Sequence, residues 1–337
     1  VLLDVFNSDP FTTTSLTAAI NKAPYKPARI GQMGLYRRVP ISTLSVFIEE
    51  MEGKLSLLTT KRRGGGGSTM ATRETRKVRP FSIYHIPHDD ALLADDIQGV
   101  RAFGSEMQLE ILSQKTNEKL MRLRQNHEAT HEYHRIGGIK GIITDGDGST
   151  ELLNLFTEFG LSQQLFYFDF ANNTSIKTTC MEVYDWMEEA VGASPWTSIH
   201  AMVGKTFWKE LLTSPEVEAA FDRANNGSFL RENQTTGSRS FEYCGITWES
   251  YRGAVGATKF VADDAAHFFP VGVPDLFLEH FGPADFIETV NTMGVPVYVK
   301  QETMKFDKGV ELHSQSNPLY ICTRPGLLGK GLSTAAP

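Results

Sequence analysis

The sequence predicts an α+β chain, with helices and strands interleaved and no internal repeat. Three observations lead there. Residues 104 to 135 contain no proline and no internal glycine, and Leu109, Leu112, Leu120 and Leu123 recur at spacings that share one helical face. The stretch STLSVFIEEMEGKLSLLTT alternates Leu44, Val46 and Ile48 with polar or outward positions, the period of a strand. In the second half, helical TSIHAMVGKTFWKELL and SPEVEAAFDRA are followed by strand-like SFEYCGITWESYRG, VPVYVKQETM and PLYICTRP.

Composition sets the outer bounds. A chain of 337 residues, 41% hydrophobic and 22% charged, is ordinary for one large or two average soluble domains. No apolar run approaches the ~18 residues of a membrane span, and the opening VLLDVF is short and lacks a basic flank, so neither a membrane partner nor export is expected. Cys180, Cys244 and Cys322 lie far apart without paired or metal-like spacing, which predicts buried thiols in a reducing compartment.

Residues 7 to 34 carry prolines at 10, 24 and 27, and the first forty residues leave room for one short helix, capped by Thr14 or Ser15 and ended by Pro24. They predict an extended arm. The strand at 44 to 48 predicts a hairpin turning near Glu52 and Gly53 and resuming at Leu55 and Leu57. If residues 54 to 86 form one long two-stranded excursion, about sixteen residues a side reach on the order of 50 Å. A hairpin of that length is marginal alone and needs a neighbour to lie on.

Inside this excursion, KRRGGGGSTMATRETRKVRP holds seven basic residues and one acid, net +6, in a chain of net −7 whose remainder therefore carries −13. The cations are Lys61, Arg62, Arg63, Arg73, Arg76, Lys77 and Arg79, around Gly64, Gly65, Gly66 and Gly67. No lysine follows the glycines as a phosphate loop requires, a plain linker has no use for the charge, and no aromatic residue interleaves the cations as single-strand nucleic-acid binding favours. A cationic loop for an acidic protein surface remains, with nucleic acid as the alternative.

The helix at 104 to 135, roughly thirty residues and about 45 Å long, has a thin apolar stripe, so much of it is expected to face water or a partner. IGGIKGIITDGDGSTELL reads as a hairpin and turn. Within the helix, His127-Glu128-Ala129-Thr130-His131 matches H-E-x-x-H, the pattern of a zinc peptidase with Glu128 as general base. Gln125, Asn126, Glu132, His134 and Arg135 crowd around it and no spaced third histidine follows. It is therefore read as a solvated helix end without catalysis, metal or cofactor, and zinc peptidase chemistry is the alternative. Gly204-Lys205-Thr206 imitates the end of a phosphate loop, but Ile199 stands where glycine is required and SIHAMV reads as helix. In DGDGSTE, Thr150 and Phe156 occupy positions where a calcium loop needs Gly and Glu, so the segment reads as a turn.

The order of SLTAAINKAP, RIGQMGLY, ISTLSVFIEEMEGKLSLL, KRRGG, IPHDDALLADDIQGVRAFGS, HRIGGIKGIITDGDGS, FEYCGITWESYRG, FPVGVPDLFLEHFGPAD and QSNPLYICTRP resembles the major capsid protein E family of lambda-type tailed bacteriophages. The resemblance implies the Johnson fold of tailed-phage and herpesvirus capsid proteins. It divides the chain into an arm (1–35), an extended loop (54–86), a peripheral domain (36–53, 87–144 and 286–315, with a spine helix at about 104–135) and an axial domain (145–285 and 316–337). It also implies a non-enzymatic virion protein, assembled in the bacterial host cytoplasm, whose partner is itself in pentamers and hexamers of an icosahedral shell around the phage genome. The eleven loop residues named above become inter-subunit contacts. A scaffolding protein, a portal and non-specific contact with packaged DNA are further implied, and a decoration protein is left open. The lysine–asparagine cross-link of some such shells is not carried over, because no residue pair here marks it.

Overall fold

The computed structural model describes residues 12–22, 28–51, 76–94, 105–172, 175–223 and 240–335. The first elements are helices α1 (Thr13–Lys22) and α2 (Arg29–Met33), then strands β1 (Arg37–Pro40), β2 (Ser45–Met51), β3 (Arg76–Ser82) and β4 (Ile86–Leu93). The spine helix α3 (Ser105–Lys140) leads into the hairpin β5 (Ile142–Thr144) and β6 (Glu151–Asn154), helix α4 (Leu155–Phe159) and β7 (Gln164–Tyr167). Next come α5 (Ile176–Val191), β8 (Ser198–Val203), α6 (Lys205–Leu212), α7 (Pro215–Arg223), β9 (Ser240–Tyr243), β10 (Ile246–Ser250), β11 (Ala254–Val255) and β12 (Thr258–Lys259). The chain closes with β13 (Ala265–Val271), β14 (Phe277–Phe281), β15 (Tyr298–Thr303), β16 (Gly309–Ser316), β17 (Pro318–Cys322) and β18 (Gly329–Leu332).

Two packed layers organise these elements. The larger is a six-stranded sheet in the order β7-β18-β13-β8-β10-β9. Phe168, Phe207, Trp248 and Phe268 cluster on this sheet, and the pairs Phe168–Phe207, Phe168–Trp248 and Trp248–Phe268 meet edge to face with ring centroids 5.1 to 5.7 Å apart, a geometry that adds to plain area burial. The smaller is the sheet β15-β16-β4, whose Leu92, Val299, Val310 and Leu312 bury against Leu120 and Leu123 of α3 and Leu16 and Ile20 of α1. A third sheet, β1-β14-β17, lies against the spine helix.

Several local expectations change. Thr12, not Thr14 or Ser15, caps α1: its Oγ1 accepts from Ser15 N at 3.3 Å. A second helix, α2, follows, and among the described residues of this segment Leu16, Ile20 and Ile30 are buried. Asn21 Nδ2 reaches Val297 O at 2.7 Å, and Thr17 Oγ1 bridges to Val299. The turn predicted near Glu52 and Gly53 and the return at Leu55 and Leu57 lie outside the described residues; the strand begun at Ser45 is paired by a later one. Its partner is β3, in antiparallel register from Ser45 opposite Ser82 to Met51 opposite Arg76. A period of two fixes a strand and its faces but not its partner.

SIHAMV is a strand, not a helix. It lies between β13 and β10 and is buried on both faces, so its apolar residues run without the alternation that would have marked it. The spine helix runs on to Lys140 through Gly137 and Gly138, where the sequence predicts a hairpin and turn. A Cβ on Gly137 would lie 3.0 Å from the backbone of Ile143, and one on Gly138 would lie 2.4 Å from the Tyr36 hydroxyl. Both glycines serve close approach, which outweighs their cost to helix propensity.

Candidate assembly site: the loop root and the buried charge lattice

The loop cations divide by position. Lys61, Arg62, Arg63, Gly64, Gly65, Gly66, Gly67 and Arg73 lie outside the described residues. Arg76, Lys77 and Arg79 lie on β3, opposite Met51, Glu50 and Ile48. Arg79 Nη1 donates to the Glu158 carbonyl, and its guanidinium sits 4.9 Å from the centre of the Phe159 ring. Phe159 in turn stacks on Phe81, centroids 6.1 Å apart. Within the subunit this arginine fastens the root of the loop to α4. On β2, Ile48 turns into the core while Phe47 stays 67% exposed.

The H-E-x-x-H residues are not at a solvated helix end. His127 is 2% exposed, Glu128 7% and His131 0%, and Arg124, Glu132, His134 and Arg135 are buried with them. Positions 124, 128, 131 and 135 recur at three or four residues, so one helical face carries the charge. That face packs on the chain's own strands. His127 Nε2 lies 3.0 Å from Ser314 Oγ and His131 Nε2 2.8 Å from Ser316 Oγ. Those hydroxyls donate to His88 O and Pro296 O, both at 2.6 Å. Each hydroxyl proton is thereby committed, so both histidines donate from Nε2.

Burial, followed by the neighbouring imidazoles and Arg124, lowers His127 to about 3. Burial likewise lowers His131, and brings His134 to about 4. All three imidazoles are neutral at pH 7. Burial opposes ionisation of Glu128, but the Arg124 and Arg135 guanidiniums outweigh it and hold the carboxyl at about 2. Arg124 Nη2 is 2.8 Å from Glu128 Oε1, whereas His131 Nδ1 is 3.8 Å from it, beyond hydrogen bonding. A carboxylate so placed is the counter-ion of a guanidinium and a poor proton acceptor. Among the described residues no three His, Cys, Asp or Glu side chains converge as a metal site.

The lattice fastens the N-terminal segment to the spine. Glu132 accepts from Ile30 N at 2.7 Å, Gly31 N at 3.2 Å and the Tyr251 hydroxyl at 3.1 Å. It thus supplies, from another helix, the cap that Ala28 cannot give α2. Arg135 donates to Glu279 Oε2 at 3.1 Å and lies 5.3 Å from the Tyr320 ring centre, while Arg38 reaches the other Glu279 oxygen at 2.7 Å. The Tyr36 hydroxyl donates to the Arg135 carbonyl at 2.6 Å, in the space left by Gly138. Glu249 is shared by Arg29 and His200. Sequence reasoning missed this network, although its signal, charges at three- and four-residue spacing along one helix, was present.

The other two motifs resolve as structure. Gly204 is the single residue between β8 and α6, its N–H donates to Ala265 O at 2.9 Å, and a Cβ there would fall 1.9 Å from Ala262 O. Strand, turn and helix follow one another as in a phosphate loop, but no cradle of free amides exists. In DGDGSTE the Asp147 carboxylate accepts from the amides and hydroxyls of Ser149 and Thr150, closing the β5–β6 turn on itself.

The model of the phage major capsid protein E family matches residues 12–332. The chain belongs to this family. Among relatives of this capsid-family chain, the major capsid protein of Salmonella phage Felix O1 (isolate Felix O1-VT1) is 25% identical over 352 residues, covering 94% of this chain and 95% of its own. The major capsid protein of Pseudomonas phage KPP10 is 28% identical over 340 residues, covering 95% and 96%. Among solved structures, a protein assigned as a prophage capsid protein from E. coli CFT073 superposes with a TM-score of 0.56 at 10% identity, covering 96% of this chain and 99% of its own. The fold is the α+β Johnson fold of tailed-phage capsid proteins.

Proposed function

We propose that this chain is a phage major capsid protein, a structural subunit that assembles through pentamers and hexamers into the icosahedral shell of the virion. The single observation that carries the reading is the family match along residues 12–332, nearly the whole chain. Electron microscopy of the purified, assembled chain should show closed shells with pentameric and hexameric units, and a monomer stable at all concentrations would overturn the reading.

In this reading the arm (1–35), extended loop (54–86), peripheral domain and axial domain keep the boundaries given above, with the loop's paired root reaching back to Ser45. The distal cations, Lys61, Arg62, Arg63 and Arg73, meet acidic surface of a neighbouring copy. The net charge of −13 outside residues 61–80 supports that pairing. A scaffolding protein, a portal and packaged DNA are partners on the same grounds, and assembly takes place in the host cytoplasm. The role is structural rather than catalytic, because Glu128 is neutralised by two arginines and both His127 and His131 are committed to serines. Elemental analysis should accordingly find no stoichiometric zinc. One tightly held zinc per chain, with peptidase activity lost in Glu128→Gln, would reverse that assignment.

A further inference from the structure

Cys180 and Cys244, separated by more than sixty positions in the sequence, meet in the fold. Cys180 lies in the first half of α5 and is fully buried, while Cys244 is half-buried and neither is in a disulfide. Their side chains interact directly. The packing around them points the same way: Gly245, next after Cys244, sits where an added Cβ would be 3.2 Å from the ring of Tyr184. Tyr184 stands one helical turn beyond Cys180 on the same face of α5. The β9–β10 turn therefore lies directly over this face of the helix, with residues 180 and 244 facing each other and 184 and 245 facing each other.

Cys244 is also an unusual choice of residue. It and Gly245 are the two linking residues of the β9–β10 hairpin, with φ of 51° and 75°, the pair of positive angles of a type I′ turn. Asn, Asp or Gly normally fills the first of those positions. Nothing in the turn's own geometry favours cysteine there. The two thiols are also unequal. The interaction with Cys244 and burial keep Cys180 protonated, whereas the interactions with Cys180 and Tyr243, with Lys177 nearby, favour the thiolate at Cys244.

We propose that Cys180 and Cys244 are a disulfide site, an intramolecular staple that ties α5 to the β9–β10 hairpin when the chain meets a low-molecular-weight disulfide. Cys244, the accessible thiolate, attacks one sulfur of the disulfide RSSR, forming Cys244–S–S–R and releasing RS⁻. Cys180 then loses its proton to solvent and attacks the Cys244 sulfur, forming the Cys180–Cys244 bond and releasing a second RS⁻. Two protein thiols are oxidised and one RSSR is reduced to two thiols. In a reducing cell the pair stays open, and outside the cell it closes wherever a low-molecular-weight disulfide is present to take up the two electrons. The proposal concerns the single chain and stands apart from shell assembly.

The test treats the purified full-length protein with oxidised glutathione at mildly alkaline pH and maps its peptides without reduction. The expected result is one linked Cys180–Cys244 peptide with Cys322 still free, and a thermal midpoint raised by roughly 5–15 °C over the reduced protein. Cys244→Ser, a change at a half-buried turn, should leave Cys180 unmodified, and Cys180→Ser should stop the reaction at glutathionylated Cys244. Three free thiols after treatment, glutathione retained on Cys244 of the wild type, cross-links between different chains, or a linked peptide with an unchanged midpoint would each overturn the proposal.

Discussion

Gly138 decides a contest between helix propensity and close approach. In an exposed helix, replacing glycine by alanine gains about 1 kcal/mol. Here the new methyl would fall 2.4 Å from the Tyr36 hydroxyl, which donates to the Arg135 carbonyl at 2.6 Å in a half-buried setting. Losing that bond and overpacking the site costs about 1–3 kcal/mol, so the steric term wins. Gly138→Ala should lower the chain's stability in urea by up to about 2 kcal/mol net. Because the Tyr36 ring carbon Cζ is already at an ordinary 3.5 Å from that Cβ position, Tyr36→Phe removes the clash. The double variant Gly138→Ala/Tyr36→Phe should therefore recover stability relative to Gly138→Ala alone, a coupling that a double-mutant cycle reads directly. Additive losses would show that the glycine answers to some other neighbour.

At the scale of one element, the spine helix predicts a distinctive response to acid. His127, His131 and His134 are neutral in the folded chain, His127 held at about 3 and His134 at about 4 mainly by burial. His127 faces His88, His131, Arg124 and Glu128, and His134 faces His131 and Asp145, so the surrounding charge is mixed. Unfolding returns each imidazole to a value near 6.5. The unfolded chain then binds more protons, and the stability present above pH ~6.5 is lost as pH falls toward the folded values, at up to about 1.4 kcal/mol per pH unit for each histidine. Glu128, held at about 2, adds its own loss only below the ordinary carboxylate range of about 4.3. Between pH 6.5 and 5 the imidazoles dominate. Urea midpoints should drop steadily through that window, and His127→Gln should flatten the slope by about one proton. A midpoint level from pH 7.5 to 5 would mean the histidines titrate normally.

The same helix shows what the sequence could and could not convey. Its length and leucine spacing were legible because they are local properties of the chain. Its polar face was read as wet, since nothing local states that Ser314, Ser316, Glu279 and Tyr320, all more than 140 positions away, will cover it. The same limit applies to β2, whose strand character was readable and whose partner, β3, was not, and to β8, whose central place in the sheet erased its alternation. Cys180 and Cys244 are free thiols, as their spacing predicts, but spacing is a one-dimensional criterion and does not convey that the fold brings them together.

At the scale of the whole molecule, the proposed role of the loop in assembly rests on the charge distribution of the chain. The body is cored without the loop's distal cations, since the six-stranded sheet and the spine layer bury their own apolar faces. Changing Arg62 and Arg63 should accordingly leave folding intact and act between subunits. The segment 61–80 carries +6 against −13 elsewhere, and exposed charge pairs contribute only about 0.2–1 kcal/mol each. Their effect grows because every subunit of a closed ring repeats it, while apolar burial supplies most of the affinity and charge sets orientation. Arg62→Glu/Arg63→Glu should cut shell yield several-fold at matched folded content, measured by sedimentation and electron microscopy. Raising the salt should weaken early wild-type intermediates, because exposed charges are screened beyond about 8–10 Å at physiological ionic strength, and it should narrow the gap between wild type and variant. Alanines in place of Gly64 to Gly67 should slow assembly more than they lower solubility, since they remove the positive-φ freedom a docking loop uses. Equal yields for wild type and the double reversal at low and high salt would assign these arginines to solvent and leave apolar contacts to orient the shell.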